Sequence, residues 1–197
     1  MAGRPRAYNR TQIIRIATQL FWDQGYAGTS LIDLTRAMRV SKSTFYAAFG
    51  SKDALYQICL EEYGKVFFRD MVQMVTAESH VLDSIRKYFV RIAREELDHP
   101  PAKGCMLVKS ANEIGTHHPI LSPVINRLLG ITRSTLQNAL ELAKRKNELP
   151  ENFNTPAAAT YLVSQMCGLR TLVRANFSEA ELENLVDRIL IHLRTDL

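Results

Sequence analysis

Residues 42–47 read Lys-Ser-Thr-Phe-Tyr-Ala, and a second Phe follows at position 49. If Phe45 and Phe49, four apart, form the inward face of a helix, the outward positions are Lys42, Ser43, Thr44, Tyr46 and Ala47. One cation, two aliphatic hydroxyls, a phenol and a methyl do not make an enzyme cleft. They suit a surface laid against duplex DNA. Lys reaches guanine acceptors, Ser and Thr reach either kind of base edge, and the Ala methyl meets a thymine methyl. Ahead of the first helix, Gly3-Arg4-Pro5-Arg6 cannot be helical because of its proline. Arg4 and Arg6 then form either an arm for a narrow A·T-rich minor groove or an ordinary basic terminus.

Charge agrees with this location. The 197-residue chain carries 25 Lys/Arg and 20 Asp/Glu, a net +5. Residues 1–52 hold eight of the bases and two of the acids, so they are +6 and the rest is −1. A basic first quarter on a neutral body points to an anionic polymer docking at one end. Other chemistries are poorly supplied. Cys59, Cys105 and Cys167 have neither metal-ligand nor disulfide spacing, which fits a reducing cytoplasm. Glu113, His117 and His118 are a weak metal set, because adjacent histidines on a helix point apart. No Gly-rich phosphate loop follows a strand, and no nucleophile–base constellation stands out. Catalysis, cofactors, metals and membrane association are therefore not expected. Cys105 has Lys103 and Lys109 nearby, and a cation can make a thiol reactive. It is a candidate redox thiol or a small core residue.

The elements that must position these groups are helical throughout. Ile13, Ala17, Leu20 and Phe21 share one face, and Gly25 stops that helix. Ser30 and Asp33 have capping-box spacing at the start of a short helix ending at Met38. Ser41 restarts the chain and Gly50 stops it. A long helix, about Lys52–Met74, has Leu55, Cys59, Val66, Phe67, Met71 and Met74 as burial candidates. Helices follow over about Val81–Leu97, after which His99-Pro100-Pro101 is a break, and from the Pro119/Pro123 region to about Lys146. The last two span about Pro156–Arg174, with Thr155 as cap, and Glu179–Leu193, with a Ser178/Glu181 capping box.

Two short helices joined by a tight turn are the size of a helix-turn-helix. The string from Gly25-Tyr26 through Thr29-Ser30, Leu34 and Val40 to Ser41-Lys42-Ser43-Thr44-Phe45-Tyr46-Ala47-Ala48-Phe49-Gly50-Ser51-Lys52 resembles the TetR/AcrR family of bacterial transcriptional regulators. The close likeness covers residues 10–60. It implies a homodimer on a near-palindromic DNA operator, usually a repressor released by a small ligand. Carried over by position, Thr29 with Ser30 falls where the family places a hydroxyl and a helix N-terminus on phosphate. Tyr46 falls on the aromatic hydroxyl that grips the backbone, and Lys52 on a phosphate-binding lysine. Lys42, Ser43, Thr44 and Ala47 are then the base readers. Three departures matter: Thr35 where Ala is common, and Arg39 and Ser43 where Gly is common. Arg39 either strains the turn by about 1–2 kcal/mol or relaxes it and offers a phosphate contact.

The resemblance implies a four-helix dimer interface from the last two helices, assigned to Ala158, Gly168, Leu182, Leu185 and Ile189. It also implies an effector cavity among the helices from Ser51 to Lys146. The lining candidates are Phe67, Met71, Met74, Tyr88, Phe89, Met106, Asn112, Tyr161 and Met166, and the expected ligand is small and largely apolar. The expectation is thus an all-α chain, with a helix-turn-helix DNA-binding domain over residues 1–52 and a helical effector-binding and dimerisation domain over 53–197. It would act in the cytoplasm, on the nucleoid. The alternatives are an architectural DNA-binding protein without a ligand switch, a thiol-based redox sensor, or a helical interaction module.

Overall fold

The computed structural model describes residues 9–97 and 104–195. Arg4, Arg6, Lys103 and the His99-Pro100-Pro101 break lie outside them. Among the described residues there are nine α-helices and no strand. The DNA-reader segment is α1 (Arg10–Gly28), α2 (Leu31–Met38) and α3 (Lys42–Phe49). Each begins on a local cap. The Asn9 carboxamide accepts from the Gln12 N–H, and the Ser41 hydroxyl accepts from Thr44 N–H. Ser30 and Asp33 form the complete reciprocal box. Gly25 interrupts α1 at φ 82°, ψ 173°, and the chain makes one more turn before Thr29.

Helix α4 (Lys52–Val75) runs through both halves of the molecule. Its first half shares a core with α1, α2 and α3, built on Ala17, Phe21, Leu34, Phe45, Leu55 and Tyr56. That core is closed by α6 (Met106–Ile114) and the start of α7 (Leu121–Arg145), through Met106, Leu107, Leu121 and Ile125. The second core lies among the end of α4, α5 (Val81–Leu97), the end of α7, α8 (Thr155–Arg174) and α9 (Glu179–Thr195). Position 52 therefore marks no gap in packing. Val66 is exposed, contrary to expectation, while Phe67 and Met74 are half-buried.

Two helix starts differ from the local reading. The cap of α8 is Asn154, whose carboxamide accepts from Ala157 N–H. Thr155 is already helical, and its hydroxyl turns to Glu141. The start of α5 is capped from far away, because the Glu148 carboxylate accepts from Val81 N–H at 2.8 Å and Leu82 N–H at 3.0 Å. No helix among the described residues is long and apolar enough to cross a membrane.

Candidate nucleic-acid interface and ligand pocket

Helix α3 is held by two side chains and presents the rest. Phe45 and Phe49 are buried, with ring centroids 5.7 Å apart. Lys42, Ser43, Thr44, Tyr46 and Ala47 are all exposed, Tyr46 at 52%. The Ser41 hydroxyl lies 2.8 Å from both the Ser43 and the Thr44 hydroxyls. One cap residue thus fixes two of the expected base readers. Arg39 takes the strained alternative, with φ 56° and ψ 43° in the left-handed region. Its N–H still closes α2 on the Arg36 carbonyl at 3.2 Å, and its side chain is exposed.

The expected phosphate anchors are placed differently. Thr29 is 0% exposed and its hydroxyl donates to the Gly25 carbonyl at 2.6 Å. It braces the broken end of α1 and offers no surface to a phosphate, which corrects its assignment. Ser30 is exposed, but its N–H and hydroxyl both donate to Asp33. These bonds hold the Asp33 carboxyl below its ordinary value, so the positive end of α2 already carries an anion. The Lys52 ammonium donates to the carbonyls of Tyr26 (2.9 Å) and Thr29 (3.0 Å) and lies 4.1 Å from the Tyr26 ring centroid. It closes α1 as a basic C-terminal cap would, with one N–H left for another partner.

A second set of contacts, with no local signal in the sequence, ties this reader to the body. Gly25 leaves the N–H groups of Tyr26 and Ala27 open, and Glu113 of α6 accepts from both, at 2.9 and 2.6 Å. Lys109 of α6 donates to the carbonyls of Trp22 and Asp23, and the Trp22 indole donates to the Gly104 carbonyl at 2.8 Å. The Tyr26 hydroxyl donates to Asp53, which also faces His118 Nε2 at 3.7 Å. Burial, then the Asp53 carboxylate, pushes the Tyr26 phenol up. His118 Nδ1 accepts from Leu121 N–H at the start of α7. Glu113 and His118 are thus spent on structure.

The effector candidates do not line a common cavity. Met71, Tyr88, Phe89 and Met166 are buried in the body core, with Phe67, Met74 and Tyr161 half-buried against it. Met106 belongs to the reader core, and Asn112 is exposed. A pocket of about 380 Å³ opens instead between α6 and the end of α8, and of the candidates only Asn112 and Cys105 line it. Cys105 is 3% exposed and accepts from the Tyr63 hydroxyl at 3.4 Å. Lys109 does line the same pocket, but its ammonium is directed to α1.

The expected dimer residues divide as well. Ala158, Leu182 and Ile189 pack within the chain and are corrected to core positions. The apolar faces of both helices are broad, and periodicity does not say whether a partner or the same chain covers them. Leu185 is half-buried and Gly168 is exposed. Gly168 continues an outward stripe of Ala157, Thr160 and Ser164 along α8, and Ile191 stands 61% exposed on α9.

Comparison with known proteins fits this layout. The model of "Bacterial regulatory proteins, tetR family" matches residues 13–58, and that of "Tetracyclin repressor-like, C-terminal domain" matches 81–189. The chain belongs to the tetR family. This TetR-family chain is 32% identical over 174 residues to the HTH-type transcriptional repressor DhaR of Mycobacterium sp. (strain GP1), covering 85% of this chain and 84% of that protein. It is 26% identical over 185 residues to the transcriptional repressor ComR of Escherichia coli (strain K12), covering 93% and 87%. In fold it is similar to the TetR-family regulator CifR, solved as a cysteine mutant with a 26-bp double-strand operator DNA. The TM-score is 0.82 at 24% identity, over 95% of this chain and 98% of that one.

Proposed function

We propose that this TetR-family chain is a homodimeric transcriptional repressor that binds a near-palindromic operator and is released by a small ligand. It acts by binding, not catalysis, on DNA in the cytoplasm. The observation that carries this reading is the outward face of α3. Lys42, Ser43, Thr44, Tyr46 and Ala47 are all exposed on a helix anchored by Phe45 and Phe49. Ser41 fixes the hydroxyls from behind. Arg36 and Arg39 add exposed cations around the turn. The repressor names of its relatives support the regulatory reading.

Dimerisation is assigned to the outer stripe Ala157, Thr160, Ser164 and Gly168 of α8 with Ile191 of α9, because small side chains let a partner helix approach closely. Ligand release is assigned to the contacts joining α6 to α1, since these join body and reader directly.

The test is selection of operator sequences from random duplex DNA with the full chain. The expected product is a two-fold sequence whose half-sites lie one helical turn apart, about 34–36 Å, or a multiple of it. With around eight phosphate contacts, affinity falls about 10³–10⁵-fold between 50 and 200 mM salt. Enrichment without symmetry would favour the architectural reading, and no enrichment would leave only an interaction module.

A further inference from the structure

The pocket between α6 and α8 has a distinctive charge. Lys109 stands on one wall, Arg170 and Arg174 on the other, and among the described residues its lining holds no Asp or Glu. Arg170 and Arg174 are four apart on α8, so both guanidinium groups leave the same helix face. Arg174 is exposed and has no ion pair among the described residues. Arg170 is half-buried, with its guanidinium carbon 5.8 Å from the Phe67 ring centroid, near enough to the Tyr88 hydroxyl to act on it electrostatically. Its fork is therefore held in place before any ligand arrives.

Gly104 makes room for this arrangement. A Cβ there would lie 2.9 Å from Cδ of Arg174, and Gly104 also sits at φ 70°. The remaining lining is mixed. Val108, Ala175 and Cys105 give apolar wall, while the Asn112 carboxamide and Thr171 hydroxyl give neutral polar groups. At about 380 Å³ the space exceeds what an inorganic ion fills and lies within the range of small-molecule sites.

We infer that this pocket binds a small organic carboxylate, with the carboxylate on Arg174, Arg170 and Lys109 and an apolar body against Val108 and Ala175. Arginine recognises carboxylates through two parallel N–H···O bonds, and charge-assisted bonds of this kind are roughly twice as strong as neutral ones. The inference deepens the ligand-released reading and rests on it for its consequence.

That consequence runs through Lys109. Its ammonium donates to the Trp22 and Asp23 carbonyls at 3.0 and 2.9 Å, in the turn of α1 just before Gly25. A carboxylate in the pocket competes with those carbonyls for the same ammonium. On the same wall, the Gly104 carbonyl accepts from the Trp22 indole. Both contacts connect the ligand wall directly to the helix that carries the DNA reader. Occupancy alters the free energy of the α6–α1 contacts, and a ligand moves an equilibrium only through such differential contacts.

The experiment is calorimetric titration of the full-length protein with benzoate and with benzamide at constant ionic strength. The two probes share shape and differ in charge. Saturable benzoate binding is expected, at least about tenfold tighter than benzamide. Arg174→Glu is expected to weaken benzoate about 10–100-fold while leaving operator affinity without ligand unchanged. If that charge reversal perturbs folding, Arg174→Gln with unchanged thermal unfolding serves instead. Equal binding of both probes, no saturable benzoate binding, or unchanged benzoate affinity in the Arg174 variant overturns the assignment. Operator affinity is measured in parallel. Benzoate binding that leaves operator affinity untouched supports the pocket and overturns its role in release. Release by a neutral compound with no benzoate binding keeps the switch and overturns the pocket.

Discussion

The Glu113 carboxylate occupies the space a side chain at position 25 would need: a Cβ on Gly25 would lie 2.7 Å from Glu113 Oε2. Glycine is required there twice, for its φ of 82° and for access of the carboxylate to the Tyr26 and Ala27 N–H groups. The break in α1 is thus a socket, and α6 supplies the plug.

Gly25→Ala is expected to destabilise the fold by about 3 kcal/mol, combining a strained backbone region with weakened charge-assisted bonds. Glu113→Ala leaves two N–H groups open and is expected to lower stability by about 2 kcal/mol. Chemical denaturation checks both. No change in the midpoint for Glu113→Ala would show that the clamp contributes nothing.

Arg39→Gly removes a left-handed arginine. Relief of about 1–2 kcal/mol exceeds the roughly 0.4–1 kcal/mol given back through a freer unfolded chain, so the variant is expected to unfold at slightly higher temperature. It also removes an exposed cation beside α3, and operator affinity falls with a shallower salt dependence. A lower unfolding temperature contradicts the strain argument.

Tyr46→Phe is expected to weaken binding to all DNA sequences alike, because phosphates carry no sequence. Thr44→Ala and Lys42→Ala are expected to change preference at particular positions, by about 1–3 kcal/mol for each base-edge interaction removed. Repeated sequence selection with each variant separates the two classes. Uniform weakening by all three removes the base-reader assignment.

The Asp33 cap sets an acid limit on the reader. Ser30's hydroxyl and backbone N–H hold that carboxyl below its ordinary value of 3.8. A depressed folded-state pKa contributes stability that is complete above the unfolded value and is lost as pH falls through the folded one. Protection of the α2 amides, relative to their intrinsic exchange rates, is expected to fall below about pH 4, and Asp33→Asn is expected to remove that dependence. Identical acid profiles for both proteins refute the cap's role.

Replacing Gly168 with Glu places a charge on the outer stripe of α8, where a Cβ meets nothing within 4 Å in the single chain. The monomer fold is expected to survive, while sedimentation shows monomers and operator binding weakens. A dimer that persists moves the interface elsewhere.

What the sequence disclosed was local. Ser30 with Asp33, Ser178 with Glu181, and Phe45 with Phe49 lie within four residues of each other, and each does in the structure what its spacing predicts. What it concealed was remote. Nothing near Gly25 names Glu113 as its partner, and nothing near Lys109 says that its ammonium is used on α1. Position along the chain assigns Thr29 and Lys52 to phosphate, but backbone carbonyls compete for their donors. Ala158, Leu182 and Ile189 show a related limit. Helical period identifies an apolar face but not whether its cover comes from the same chain.

The cap on α5 gives the protein a timetable. Val81 N–H finds its acceptor on Glu148, 67 residues further along the chain. At about 5–20 residues per second of synthesis, roughly 3–13 seconds pass between the emergence of the helix start and that of its carboxylate. During that interval Val81, Leu82, Ile85 and Phe89, all buried in the finished core, lie on a nascent segment whose first turn is still open. The C-terminal half therefore completes its packing only after the connection beyond α7 has left the ribosome, and α5 is a segment for a chaperone to hold in the meantime.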